Sequence, residues 1–336
     1  MNHGTAAILK NCEWVKITVP CNGRQKGRGQ PYKIAGMPSL SMPLLRALFC
    51  LSVHLAVLSA PAPIRFLLSF DDGPSLWDST PTTRILEQLA ENPVTPSIKA
   101  LFFVQSAHIE HGGSEAGRAI MRRACGAGHL LGVHSASARG HIPHPRLDDG
   151  ELAASMRDGR EAIAAQCGED AGLVRPPDWE YDGRTLAAYQ AAGLGMLLSD
   201  LSANDGKIYG WNLSLRRRAH LRRELADAAQ AYQAGLLPVW EGVTPVVMTF
   251  HDTNPYTADH MREYLHILVE EATALSLPLA DPPFYTDTAA LLRAAQGRAQ
   301  AGRFVCGAVS RSAGWRARWT GDQAELRKGC FQASPR

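Results

Sequence analysis

The stretch Ile64-Arg65-Phe66-Leu67-Leu68-Ser69-Phe70-Asp71-Asp72-Gly73-Pro74 reads as a buried strand (64–70) running straight into a rigid turn. Seven mostly apolar residues are the length of a strand, and Asp-Asp-Gly-Pro is a strong breaker. Working outward, the same alternation repeats. The spacing of Ile85, Leu86 and Leu89 predicts a helix over 82–92, followed by a strand over 99–104 (KALFFV). A helix over 115–128 is stopped by glycine, and a strand follows at 129–135 (HLLGVHS). Then come a helix with Asp caps (148–168), a short strand (172–177), a helix (182–193) and a strand (194–200). A helix (219–235), a strand (245–252) and a long helix (257–276) complete the run. Strands alternating with helices of this length imply a parallel sheet, here a closed or nearly closed α/β barrel. Polar residues fall just past the strand ends, at Asp71, Asp72, His134, Arg175, Asp200, His251 and Asp252. In such barrels that face carries the active site.

Composition narrows the function classes. The 336 residues are 45% hydrophobic and carry a net charge of +3, so they can bury a sizeable core and present no strong field. Without a basic stripe, the chain has no nucleic-acid signature. The seven cysteines are scattered and form no C-x-x-C pair, which excludes a disulfide scaffold and a zinc module. Cys125 and Cys167 fall in helical segments and read as core fillers, whereas Cys306 and Cys330 could pair in an oxidising compartment.

The ends follow other rules. Residues 37–62 have the layout of a signal peptide: Arg46, then an apolar run from Ala47 to Leu58, then small residues up to Ala62. The run is too short for a stable membrane span and His54 interrupts it, so export to a periplasm or the exterior is expected. Residues 1–36 show no helical or strand period and read as a non-native or disordered extension, with translation starting at Met37 or Met42. The barrel is expected over 64–295, and residues 297–336, rich in arginine, as a C-terminal tail. The expected state is a monomer.

The chemistry gathers in four segments. Asp71 and Asp72 are adjacent carboxylates at a strand end, a pair that suits a divalent metal on one and general-base work for the other. His129, His134, His141 and His144 cluster within sixteen residues. Two imidazoles plus a carboxylate make a catalytic zinc site with an open position. Arg175, stiffened by Pro176 and Pro177, could pair with a carboxylate. His251, at the end of VVMTFHD, suits general-acid work near neutral pH.

In order, SFDDGP, KALFFV, AGHLLGVHS, VRPP and TFHD resemble the five motifs of the polysaccharide deacetylase (NodB-homology) family, carbohydrate esterase family four, over residues 64 to 295. The resemblance implies a deformed, TIM-related β/α barrel and a hydrolase that removes acetyl groups from N-acetylglucosamine-type polysaccharides, or O-acetyl groups from substrates such as acetylxylan. It implies Asp71 as catalytic base, Asp72 and His134 as ligands of a divalent metal (zinc expected), Arg175 as the group orienting Asp71, and His251 as general acid.

The chain departs from the family at three places. The family has a second histidine four residues after the first; here that position is Ala138. The aromatic after R-P-P is replaced by Asp178, with Trp179 one place later as the expected substrate-binding wall. The D-x-x-D-W segment is reduced to SDLSANDG, with Asp205 and no tryptophan. For the third metal ligand His141 and His144 compete. His144-Pro145-Arg146-Leu147 reproduces the family's His-Pro-x-Leu order before a capped helix, so His144 is the expected ligand, and His141 after Gly140 the rival.

Overall fold

The structure, a computed structural model, describes residues 3–10, 13–20, 61–78, 80–205 and 216–301. The chain divides into two compact units, residues 1–60 and 61–336. In the first, β1 (His3–Lys10) and β2 (Glu13–Pro20) pair antiparallel, from His3 opposite Pro20 to Lys10 opposite Glu13, where the sequence reading places no strand. The expected signal segment up to residue 60, the tail beyond residue 301, Cys306 and Cys330 lie outside the described residues.

The second unit is built of repeated strand–helix steps. In chain order they are β3 (Ile64–Asp71), α1 (Pro81–Ala90), β4 (Leu101–Gln105), α2 (Glu115–Gly126), β5 (Leu130–Ser135) and α3 (Asp149–Cys167). Next are β6 (Leu173–Val174), α4 (Gly183–Ala191), β7 (Gly195–Met196), β8 (Leu201–Ser202) and α5 (Arg217–Gln233). The unit ends with β9 (Thr244–His251), α6 (Pro255–Ala274), β10 (Leu279–Phe284) and α7 (Thr288–Ala301). No helix among the described residues is long and apolar enough to cross a membrane.

All eight strands are parallel, in the order β7-β6-β5-β4-β3-β9-β8, with β10 also pairing β3. The path is open between β7 and β8, so the sheet is a curled half-barrel, the deformed form of the expected barrel. The expected strand over 172–177 shrinks to two residues because Pro176 and Pro177 have no N–H to give a neighbour. β10 went unread in the sequence because Asp281-Pro282-Pro283 interrupts its pattern.

The alternation of side chains along β3 sorts two cores. Phe66, Leu68 and Phe70 face outward into the large cluster shared with Ile85 and Leu89 of α1 and Leu265 and Leu268 of α6. Phe70 stacks on Phe102 and Phe250, with ring centroids 4.9 and 5.6 Å away, contacts worth about 0.5–1.5 kcal/mol each beyond burial. Leu67 faces inward, with Leu101, Phe103, Leu173 and Val247. Inside the curl space is short: a Cβ on Gly132 would meet the Phe103 ring at 2.8 Å.

Two expectations are corrected here. Cys125 and Cys167 are not core fillers but a disulfide, with Cα atoms 5.7 Å apart. Cys125 lies in the last turn of α2 and Cys167 ends α3, so the two helix ends meet within disulfide reach. Asp200 does not join the functional face. It precedes β8, where its Oδ2 accepts the Val247 N–H at 2.8 Å midway along β9 and its Oδ1 pairs with Arg298. Arg298 belongs to α7, which continues past the expected boundary at residue 295.

Candidate active site

The register of the sheet assembles the site. Ser69 pairs with Thr249 and Asp71 with His251 across β3 and β9, so successive inward positions step from apolar through hydroxyl to charged at the rim. Arg175, fully buried, reaches the same layer from β6. Its Nη1 donates to Asp71 Oδ1 at 2.8 Å, Ser69 Oγ at 2.7 Å and Thr249 Oγ1 at 3.0 Å, while Nε donates to the Leu197 carbonyl. The guanidinium lies 4.3 Å from the Phe103 ring and 5.2 Å from that of Trp179. Asp71, 2% exposed, is therefore held by a cation that is itself fixed on several sides.

Asp72 turns away from the strand in the left-handed region (φ 78). Two contacts hold this turn. Gln105 Nε2 donates to the Asp72 carbonyl at 2.8 Å, and Gly73 lies so close to the buried Asp252 that a Cβ would stand 1.9 Å from its Oδ2. The Asp72 carboxylate meets two imidazoles: Oδ1 is 3.1 Å from His134 Nε2 and 3.2 Å from His141 Nε2. Burial pushes the Asp72 pKa up, but the His134 hydrogen bond and the nearby histidines pull it well below the usual carboxylate range.

A tautomer argument shows what this group requires. His134 Nδ1 faces the Arg175 carbonyl at 2.8 Å, and a carbonyl only accepts, so Nδ1 carries the hydrogen. In the neutral ring, Nε2 then presents a lone pair to a carboxylate oxygen. Two acceptors at 3.1 Å need a positive charge with them, a proton or a metal cation. Burial depresses the His134 pKa, and Asp72 and Asp71 more than offset that, giving a net rise. The donor atoms of Asp72, His134 and His141 lie within 4.8 Å of one another, a nitrogen–nitrogen–oxygen set that can hold a divalent metal.

His144 is not in that group, and its expected place goes to His141. The proline after His144 starts a 3-10 turn (His144–Arg146) that buries the ring completely, with Nδ1 2.6 Å from the Tyr189 hydroxyl of α4. Burial takes its pKa down to about 3. Gly140, at φ +81 with its carbonyl held by Ser135 Oγ at 2.9 Å, makes the bend that returns His141 to Asp72. His129 lies in the core, where Nδ1 accepts the Ala100 N–H at 3.1 Å.

His251 stands at the end of β9. Its Nδ1–H donates to Asp205 Oδ1 at 2.8 Å, its backbone N–H donates to Asp205 Oδ2 at 3.0 Å, and Asp205 is 1% exposed. Burial pushes the His251 pKa down, and the charge and hydrogen bond of Asp205 drive it the other way, to about 10. Sequence reading found Asp205 only as the remnant of a degraded motif. It missed His108 and His111, which line the same cavity of about 480 Å³ as Asp71, His141, Trp179 and His251. Their signal was faint: two histidines three apart, past the end of β4.

A parallel α/β half-barrel carrying an Arg-held carboxylate, an Asp-held imidazole and an Asp-His-His group at the strand C-termini is the layout of a hydrolase. Residues 60–197 match the family model described as polysaccharide deacetylase. Among curated proteins none matches the chain. Among solved structures, a chitin deacetylase from Colletotrichum lindemuthianum is similar at 19% identity and a TM-score of 0.49, over 66% of this chain and 86% of that one. A peptidoglycan deacetylase from Bdellovibrio bacteriovorus is similar at 22% identity and 0.45, over 63% and 51%. An acetyl xylan esterase from Clostridium thermocellum is similar at 21% and 0.45, over 68% and 96%.

Proposed function

We propose that the protein is an exported, metal-dependent deacetylase acting on N-acetylglucosamine-type units of a cell-wall or extracellular polysaccharide. The observation that carries this is one cavity in which Asp71, locked by Arg175, and His251, locked by Asp205, accompany Asp72, His134 and His141. Asp72, His134 and His141 would hold the metal, and their two nitrogens and one oxygen suit zinc. When bound, such a cation supplies Lewis-acid polarisation of the acetyl carbonyl and a lowered pKa for an attacking water.

This chain's own residues do the rest. Asp71 accepts a proton from the water as its oxygen attacks the acetyl carbon, and Arg175 keeps the carboxylate aimed. His251, charged up to about pH 10, delivers a proton to the leaving nitrogen as the C–N bond breaks, giving acetate and the free amine. Trp179 offers an apolar wall for a sugar face. The Cys125–Cys167 disulfide supports an oxidising compartment.

The test is acetate release from N-acetylchitooligosaccharides, peptidoglycan and acetylxylan, with and without chelator. Release from the N-acetyl substrates that stops with chelator and returns with zinc is expected. Release from acetylxylan alone would make the enzyme an O-acetyl esterase. Binding to all three without release would make it a carbohydrate-binding barrel.

A further inference from the structure

Two of this chain's unusual positions meet in space. His141 occupies the third corner of the Asp72–His134 group, and Asp178 stands where an aromatic residue was expected. The His141 ring bridges two carboxylates: Nε2 is 3.2 Å from Asp72 Oδ1 and Nδ1 is 3.8 Å from Asp178 Oδ1. Among the described residues, His141 is the only basic side chain within ion-pair distance of Asp178. The other imidazole has a matching arrangement, since His134 donates Nδ1–H to the Arg175 carbonyl while Nε2 faces Asp72. Each ring thus has an outer acceptor behind the nitrogen that is turned away from Asp72.

We infer that Asp178 is a positioning residue for the metal site: its carboxylate orients His141 and keeps the hydrogen on Nδ1, so that Nε2 is presented as a metal-binding lone pair. The inference rests on the metal-site reading above. The backbone supports it. Asp178 (φ 55) and Trp179 (φ 62) are consecutive non-glycine residues in the left-handed region, a conformation that aspartate tolerates and tryptophan rarely takes. Such conformations persist where surrounding contacts enforce them. Here the Trp179 N–H donates to the Pro176 carbonyl at 3.1 Å and the indole lies beside the Arg175 guanidinium. The same tight turn that sets Trp179 against Arg175 carries Asp178 to His141. At 3.8 Å the carboxylate acts on the ring through its field or through one bridging water. Loss of the outer partner of a metal-bound histidine commonly weakens metal affinity 10- to 100-fold. Asp178 is half-exposed, so the lower end, about tenfold, is expected.

The experiment measures zinc affinity of the full chain by chelator competition, for wild type, Asp178→Asn, Asp178→Ala, His141→Ala and the Asp178→Asn/His141→Ala double variant. Asparagine enters the left-handed region as readily as aspartate, so Asp178→Asn removes the charge and keeps the turn. About tenfold weaker zinc binding in both Asp178 variants, with no further loss when Asp178→Asn is added to His141→Ala, is the expected result. Wild-type affinity in Asp178→Asn overturns the inference. If Asp178→Ala alone is weakened, the turn and not the carboxylate matters. Absence of zinc binding in wild type removes the metal-site reading itself, and this inference with it.

Discussion

The two halves of the site are built differently. Asp71, His134, Arg175 and His251 sit on or directly after strands, and the parallel register delivers them to one layer. Asp72, His141, Asp178 and Trp179 sit on loops, where left-handed backbone at Asp72, Gly140, Asp178 and Trp179 sets their directions. A strand side chain can be placed from the period of two alone. A loop side chain is placed by turns whose geometry depends on what packs behind them. The strand half therefore holds its side chains rigidly, whereas the loop half depends on the turns that carry it.

The largest expected effect tests the strand half. Asp71→Asn leaves an amide that cannot accept a proton, so turnover should fall about 10²- to 10⁴-fold while bound zinc stays at the wild-type level. Paired steady-state kinetics and metal analysis check this. Intact turnover in Asp71→Asn would remove the base from the strand half.

Next comes the loop half. His141→Ala should weaken zinc by more than the 10- to 100-fold typical of losing an outer partner, whereas His144→Ala should keep its zinc and lose thermal stability through the cavity left beside Tyr189. Metal content and melting curves of the two proteins distinguish them. The reverse pattern would mean that the loop rearranges to bring His144 to Asp72.

A third change leaves both halves alone and tests the scaffold behind them. Replacing Cys125 and Cys167 with serine opens a link spanning 42 residues, and should cost about 2–4 kcal/mol of stability with kcat unchanged. Denaturant titration measures it. A fall in kcat at a temperature where the variant is still folded would show that the α2–α3 edge supports the loops.

The last effect shows only as a slope. Asp252 lies behind the Asp72 turn, and burial, helped by the charges of Asp72 and Asp71, raises its pKa to about 7. The folded protein then keeps a proton there that the unfolded chain, with the ordinary carboxyl value of 3.8, releases. Stability from this group is full below about pH 4, declines as pH rises through that window, and is lost above about 7. Asp252→Asn cannot titrate, so the melting temperature of the chelated protein should vary less between pH 4 and 8. An unchanged slope would mean that Asp252 is ionised in the fold.

Hydrophobic period and breakers carried most of the architecture. The six expected strands and their helices recur within a few residues, apart from 172–177 and 194–200, which prolines and a bend cut short. Asp71, Asp72, His134, Arg175 and His251 were legible because each directly follows an apolar run. Asp205 was legible only as the remnant of a motif and the His108–His111 pair not at all, since neither stands in a periodic segment.

By itself, the sequence determined an α/β barrel with a reactive rim, because strand period and parallel alternation are local properties that survive without knowing what packs where. Only the tertiary structure decided the rest: that the sheet stays open between β7 and β8, that Cys125 meets Cys167, and that Asp200 pairs with Arg298. It also decided the third corner of the Asp72 group. Proline after His144 looked like a ligand's signature in one dimension, yet it turned the ring into the core. Gly140 made the left-handed bend that brings His141 back. A turn's direction depends on the sign of φ at one residue and on the contacts that hold it there, and neither is written in the order of the side chains.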